Sequence, residues 1–286
     1  MVVSIITVSY NAEKTIEKTL NSVRKNKNKL IEYIVIDGNS TDNTLNIINK
    51  YNDIIDIMVS ERDNGLYDAL NKGIKLAKGD YCMLLAADDV LVDGALNKAI
   101  SKIKKNTDIW CGSIIQKSEA GYFIEESSAN LEELKLHCSL RNPASLFKRE
   151  LFDKYGYYNT EYKCDGDREL FLRMYINGAV FQIDKLPLVV FNIGGISTKN
   201  RAEYAIPEGK KISLEYGMDP EYAEKYYKKM LSREYTRLHL KNSKIGKMLY
   251  KIIYSDSVYP IFSKIKHGSC HKLALDEIKK YHLEDN

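Results

Sequence analysis

Apolar and polar positions follow a repeating pattern over the first hundred residues. Val2–Val8 is a short apolar run that stops at Ser9-Tyr10-Asn11, which reads as a buried strand followed by a turn. Ile16, Leu20 and Val23 then recur at helical spacing, predicting a helix from about Ala12 to Lys25. A second strand is expected at Tyr33–Ile36, ending in Asp37-Gly38-Asn39-Ser40. Gly38 permits a sharp turn there, and Ser40 or Thr41 can cap a helix that runs to Tyr51. A weaker strand at Ile54–Ser60, a charged loop at Glu61–Gly65 and a helix from about Tyr67 to Ala77 follow. Tyr81–Leu85 is a fourth apolar run, of the kind covered on both faces in a parallel sheet. This βαβαβαβ alternation implies parallel strands, right-handed crossovers and helices on the sheet faces.

The second half is less regular. The pattern predicts a helix from about Asp93 to Asn106, a strand at Ile109–Gln116 and a partner for it at Tyr122–Ser127. Ser145–Phe147 reads as a short strand and Glu150–Tyr155 as a short helix. Cys164-Asp165-Gly166-Asp167 leads into a helix from about Arg168 to Asn177, with Gly178 as C-cap. Val180–Ile183 and Pro187–Asn192 read as two strands, and Gly194-Gly195 as a flexible loop. From about Lys199 the alternation fades, and Lys, Tyr and Glu at helical spacing dominate. The chain therefore divides into a domain at 1–199 and a helical C-terminal extension at 200–286.

Composition narrows the class. With 286 residues, 44% hydrophobic and 29% charged, the chain is an ordinary globular protein with room for a sizeable core. Its net charge of +4 is too small to indicate nucleic acid, and the excess is uneven. Residues 201–286 carry 17 basic and 12 acidic groups, whereas residues 1–200 are close to balance. The five cysteines are scattered without CxxC or Cys/His ligand spacing, which argues against zinc and for a reducing compartment. The first residues lack the basic and apolar regions of a signal peptide, and no apolar run approaches membrane-spanning length. A cytoplasmic location is expected.

The chemistry concentrates in Gly79–Asp93, GDYCMLLAADDVLVD. The Tyr81–Leu85 strand runs into Ala86 and Ala87, then into the adjacent carboxylates Asp88 and Asp89. Ligands of open α/β sheets sit just beyond such strand ends. Two acids there, with little bulk before them, suit a hard cation and the phosphates it neutralises. Successive side chains of extended backbone point opposite ways, so the two acids are expected to do different jobs, one facing the metal. The pattern does not say which. It also allows a plainer role, as the cap of the next helix.

Several segments together resemble family 2 glycosyltransferases of the GT-A fold. These are VSYNAEKTIEKTLNSV, VIDGNSTDNT, SERDNGLYDALNKGIKLAKGDY and LLAADDVL, followed by NPASLFKRELFDKYG, DGDRELFLRM and FNIGGIS. They are collinear with the family over roughly residues 2–198, and look most like bacterial enzymes that build O-antigen or capsule repeat units. The resemblance implies a mostly parallel central sheet flanked by helices. It places Tyr10 near the nucleotide base and makes Asp37 the acceptor for the uracil N–H. It sets Asp68 and Asn71 beside the nucleotide pocket, Asp88 and Asp89 on the metal and ribose, and Asp167 as the base of an inverting enzyme. Asp165 and Glu169 compete for that last role. The chain departs from the family pattern at Ala86, which replaces the first Asp of DxD, and at Asn142-Pro143, where relatives often have His-Gln. No histidine lies near residues 190–200.

The activity so implied is transfer of a hexose, with inversion, from a UDP-sugar to a saccharide acceptor, assisted by Mn²⁺ or Mg²⁺. The acceptor is expected to be linked to a polyprenyl diphosphate, as in surface polysaccharide synthesis. Asp167 takes the acceptor proton. With an ordinary carboxylate pKa near 4, it would do so late in the reaction. Ile245, Met248, Leu249, Ile252 and Ile253, among Lys244, Lys247 and Lys251, form a basic amphipathic pattern. It suits contact with the inner face of an anionic membrane, or packing on the domain or a second copy. Ser9-Tyr10-Asn11-Ala12 lacks the GxGxxG of a dinucleotide-dependent oxidoreductase, and the basic phosphate loop of a nucleotidyltransferase is absent. A non-catalytic sugar-nucleotide-binding protein is the alternative that Ala86 motivates.

Overall fold

The computed structural model describes residues 1–118, 121–192, 200–243, 270–273, 275–281 and 283. The Gly194-Gly195 loop and the Lys244–Ile253 pattern lie outside the described residues.

The expected alternation is present. Strands β1 (Val3–Ser9), β2 (Ile31–Asp37), β3 (Ile57–Ser60) and β4 (Tyr81–Ala86) pair in parallel in the order β4-β1-β2-β3. Helices α1 (Ile16–Asn26), α2 (Thr44–Ile48) and α3 (Leu66–Leu76) make the crossovers. Both faces of the sheet are covered. Ile5, Tyr33, Val35, Met83 and Leu85 pack with α1 on one side, and Ile6, Ile34, Ile36 and Leu84 with α3 on the other. That is why these strands read as continuous apolar runs.

Helix α3 lies close on the sheet because residue 73 is glycine. A Cβ there would overlap Ile6 Cγ2 and come within 3.3 Å of Ile36 Cγ1. Gly73→Ala is therefore expected to destabilise the protein by about 1–3 kcal/mol, despite alanine's better helix propensity. Urea denaturation would measure the loss.

Beyond β4 the sheet changes direction. β5 (Val90–Leu91) and helix α4 (Ala95–Lys102) precede β6 (Ile109–Ser118), β7 (Gly121–Glu125), β8 (Ser145–Lys148) and β9 (Phe181–Asn192). β8 lies antiparallel between β4 and β6, and β7 pairs antiparallel with β6, the partnership expected for Tyr122–Ser127. The two strands expected at 180–192 are one, paired in parallel with β6. Pro187 breaks the pattern without ending the strand, because it stands opposite Ser113 where the register shifts. At the same bulge a Cβ on Gly112 would meet Leu186 O at 2.7 Å.

Helices α5 (Glu150–Tyr155) and α6 (Gly166–Ile176) complete this half. The C-terminal part is not helical throughout, as the pattern suggested. After a π-helical turn (Arg201–Ala205), α7 (Ile206–Glu215) and α8 (Pro220–Asn242), the chain adds β10 (Cys270–Lys272) to the sheet edge beside β7. Helix α9 (Leu275–Lys280) follows, and Leu273 and Leu283 are buried in the main core. The described residues among 270–283 thus pack with the sheet, which the lysine-rich texture concealed.

Candidate active site

The carboxyl ends of the parallel strands are level. Ser9 pairs with Asp37, Asp37 with Ser60, and Val8 with Ala86. The loops after β1 and β2 are locked together: Ser40 Oγ accepts from Asn11 N–H at 2.8 Å, and Asn11 Oδ1 from Thr41 N–H at 2.9 Å. Asn11 and Asn39 adopt positive φ, 49° and 62°, a conformation asparagine tolerates better than most residues. Tyr10 is left 64% exposed at this rim, an unusual position for a large aromatic side chain.

Asp37 is wholly enclosed. Its Oδ1 accepts from Ser9 Oγ (3.1 Å) and Ser40 Oγ (2.5 Å), and its Oδ2 from Ser40 N–H (2.9 Å) and Ser60 Oγ (2.8 Å). Asp63, which the sequence pattern did not single out, lies beside the following residue. A Cβ on Gly38 would be 2.5 Å from Asp63 Oδ2 and 3.3 Å from the Tyr10 ring. Asp63 Oδ1 accepts from Gly65 N–H at 2.9 Å.

Asp68 and Asn71 occupy the helix after this loop, and both are engaged with protein. Asp68 accepts from Asn64 N–H at 2.9 Å, closing the first turn of α3. Asn71 is buried and clamps the backbone of Tyr158, donating to its carbonyl at 2.9 Å and accepting from its N–H at 3.0 Å. This clamp fastens α3 to the segment before α6.

The adjacent acids after β4 lie not in extended backbone but in a turn, where Asp89 N–H donates to Ala86 O at 3.1 Å, and their environments differ. Asp88 is half-buried, and its carbonyl accepts from Asn192 Nδ2 at the end of β9. Asp89 turns inward with 2% exposure. Its carboxyl group is pushed well above the usual carboxylate range by burial and by the neighbouring Asp88, opposed by backbone N–H groups of Ala86 and Asn192. Among the described residues Asp89 Oδ1 has no hydrogen-bond partner, the kind of orphaned acceptor that a cation satisfies. Among the described residues no three His, Cys, Asp or Glu side chains converge. A cation on this pair would complete its shell with phosphate and water, as Mg²⁺ commonly does. The donor set fits that demand.

Asp167 lies in the first turn of α6. Tyr67 of α3 accepts from the Gly166 N–H (2.9 Å) and the Asp167 N–H (3.3 Å), tying this turn to α3. The Tyr67 ring stacks on Tyr158 at 5.2 Å. Asp167 accepts from Arg168 N–H at 2.8 Å and from the Cys138 thiol at 3.8 Å, and is half-buried. Burial, then the charge of Asp165, pushes its carboxyl up to about 7. The other acids of the segment are paired. Asp165 meets Arg168 at 3.3 Å, and Glu169 grips Arg173 while accepting from Tyr216 Oη. Asp167 alone of the three has no cationic partner among the described residues.

The region around Asp167 is closed by the C-terminal helices. Arg168, 1% exposed, donates to Leu134 O, Lys135 O, Gly209 O, Ser213 Oγ, Tyr227 Oη and Asp165. Glu208 of α7 accepts from the backbone N–H groups of Lys163, Cys164 and Asp165 at 2.7–2.9 Å. A cavity of about 150 Å³ lies between Asn64–Tyr67, Thr160, Tyr162, Lys163 and Tyr204.

In architecture the protein is a GT-A glycosyltransferase. The fold is similar to Staphylococcus aureus TarS residues 1–349 in complex with UDP-GlcNAc, with TM-score 0.60 and 19% identity, over 92% of this chain and 81% of that one. The model of the family described as Glycosyl transferase family 2 matches residues 4–166, and the chain belongs to that family. A PGL/p-HBAD biosynthesis glycosyltransferase of Mycobacterium tuberculosis is 29% identical over 183 residues, 62% of this chain and 71% of the relative. The UDP-Glc:alpha-D-GlcNAc-diphosphoundecaprenol beta-1,3-glucosyltransferase WfgD of Escherichia coli is 29% identical over 160 residues, 54% of this chain and 63% of that enzyme.

Proposed function

We propose that the protein transfers a hexose from a UDP-sugar, with inversion, to a saccharide acceptor carried on a polyprenyl diphosphate. The observation that carries this reading is Asp167, in the first turn of a helix and with no cationic partner among the described residues; burial and the charge of Asp165 push its carboxyl up to about 7. A carboxylate of that basicity is matched to neutral pH, better than the ordinary one expected from sequence. It accepts the proton of the attacking acceptor hydroxyl. Tyr67 and the Arg168 N–H hold its turn in place, and Asp165 and Glu169 are occupied elsewhere.

Tyr10 packs against the base, and the rim of β1, β2 and β4 holds the nucleotide. Asp88 and Asp89 hold a Mn²⁺ or Mg²⁺ ion, which when bound offsets charge on the departing diphosphate. The named substrates of WfgD support the choice of a UDP-sugar and a lipid-linked acceptor. No described helix is long and apolar enough to cross a membrane. The basic excess of residues 201–286 supports peripheral contact with an anionic surface.

A panel of UDP-sugars, assayed for UDP release with and without a polyprenyl-diphosphate-linked saccharide, tests the reading. One donor is expected to give acceptor-dependent release that EDTA abolishes and Mn²⁺ restores. Binding of UDP with no release from any donor would favour the non-catalytic alternative.

A further inference from the structure

We propose that Cys138 is a positioning residue for Asp167: its thiol holds Oδ2 while that oxygen is charged, and turns to Leu140 O when the oxygen takes its proton. The assignment rests on the reading of Asp167 as the proton acceptor. The two oxygens of Asp167 are held unequally. Oδ1 accepts from the Arg168 N–H at 2.8 Å, whereas the side chain that donates to Oδ2 is Cys138, at 3.8 Å. A thiol is a weaker donor than an amide N–H, so Oδ2 stays the more basic of the two. It is the oxygen that receives the proton of the acceptor hydroxyl.

The thiol carries one proton and has two acceptors in reach, the second being Leu140 O at 3.4 Å. Turned towards Oδ2, that proton stabilises the carboxylate. Once Oδ2 is protonated, the thiol proton turns to Leu140 O, and no polar group is stranded. Only rotation about the Cβ–Sγ bond is needed. A lysine or arginine at this place would hold the carboxylate too firmly for it to accept a proton near neutral pH. Burial and the charges of Asp167 and Asp165, opposed by Arg141 and Arg168, keep the thiol well above its usual range. Cys138 is therefore a donor at neutral pH and not a nucleophile.

The segment that carries the thiol is pinned on both sides. Before it, Tyr227 Oη donates to Leu136 O, and Arg168 and Ser213 to Lys135 O, each at 2.7 Å. After it, the Ser128 N–H donates to Ser139 O at 2.9 Å, and Arg141 pairs with Glu125 at 3.1 Å. Helices α7 and α8, which bear Ser213 and Tyr227, thus help to aim the thiol at Asp167. The other groups around Asp167 are engaged or neutral. Asp165 and Arg168 face each other at 3.3 Å. Burial and the charge of Asp167 push the phenols of Tyr67 and Tyr158 well above their usual range.

The test is Cys138→Ala and Cys138→Ser in the full chain. The Asp167 carboxyl carbon, followed by NMR in aspartate-labelled protein and assigned by its loss in Asp167→Asn, reads the titration without any donor sugar. Removing a hydrogen-bond donor disfavours the charged form, so Cys138→Ala should raise the midpoint by about 0.5 to 1 pH units from its value of about 7. Acceptor-dependent UDP release, with the donor that the panel identifies, should show the same displacement of its acid limb. The expected loss is about 3- to 10-fold at about pH 6, closing by about pH 9, with UDP affinity unchanged. Cys138→Ser restores a donor and should return the midpoint to the wild-type value or below it. A midpoint unmoved in Cys138→Ala, or a rate loss equal at every pH, would overturn the assignment and leave Asp167 as the proton acceptor. Serine that shifts the midpoint as alanine does would overturn it too. Undiminished transfer by Asp167→Asn would instead end the reading of Asp167, and this assignment with it.

Discussion

Asp167→Asn is expected to reduce transfer by about 10²- to 10⁴-fold, the usual contribution of a positioned general base, while UDP affinity stays within a factor of two or so. Asparagine preserves the shape of the side chain and its bond to the Arg168 N–H, but cannot take a proton at neutral pH. Steady-state transfer measured beside UDP titration separates the two effects. Equal loss of both would assign Asp167 to the nucleotide site or to the fold. The wild-type rate should also fall on the acid side with an apparent pKa near 7, since the neutral acid cannot accept a proton. Stability runs the other way. A carboxyl group whose pKa is higher folded than unfolded stabilises the native state below about pH 4, and loses that contribution as pH rises towards 7. Asp167→Asn should therefore match wild type near pH 4 and exceed it in denaturation midpoint at pH 8. A catalytic group held at the expense of stability has this signature, whereas a helix cap that stabilises as a carboxylate would show the reverse.

The parallel half of the sheet was legible because its strands are buried on both faces and its helices carry one apolar stripe each. Period and length alone separated β1, β2 and β4 from α1 and α3. The acid pair was legible for the same reason, as the first charges after an apolar run. Other features depend on distant contacts. Asp63 sits in the charged stretch ERDN, and only the fold shows its carboxylate packed on Gly38 at the end of the neighbouring strand β2. Asn71 lies on α3 at a position that resembles a pocket-facing residue, yet the Tyr158 backbone, 87 residues away, takes both ends of its amide. Pro187 suggested two strands because the bulge that tolerates it is made by Gly112 and Ser113 of another strand. The return of residues 270–272 to the sheet has no periodic signal, since three residues are too few to show one.

Arg168→Met should cost about 3–5 kcal/mol, the largest loss of stability expected from a single change here. The guanidinium is 1% exposed and spans four parts of the chain: the 131–135 turn, α6, α7 and α8. Methionine fills much of the volume but removes the guanidinium bonds to the carbonyls of Leu134 and Gly209, and leaves Lys135 O with the Ser213 hydroxyl alone. It also leaves the Asp165 carboxylate, already disfavoured by burial, without its cation. Gly209 marks how closely the parts fit, since a Cβ there would come within 3.1 Å of both the Arg168 guanidinium and Asp165. Arg168→Lys should recover little, because an ammonium cannot reach carbonyls on three sides as a planar fork can. Urea denaturation would give the magnitude, and limited proteolysis its location. If α7 and α8 are fastened to the turn that carries Asp167 by this one side chain, cleavage in 200–243 should accelerate before the sheet domain is attacked. A stability loss below 1 kcal/mol, with proteolysis unchanged, would mean that Glu208 and the small core of Ile206, Ala223 and Tyr227 hold the helices without it.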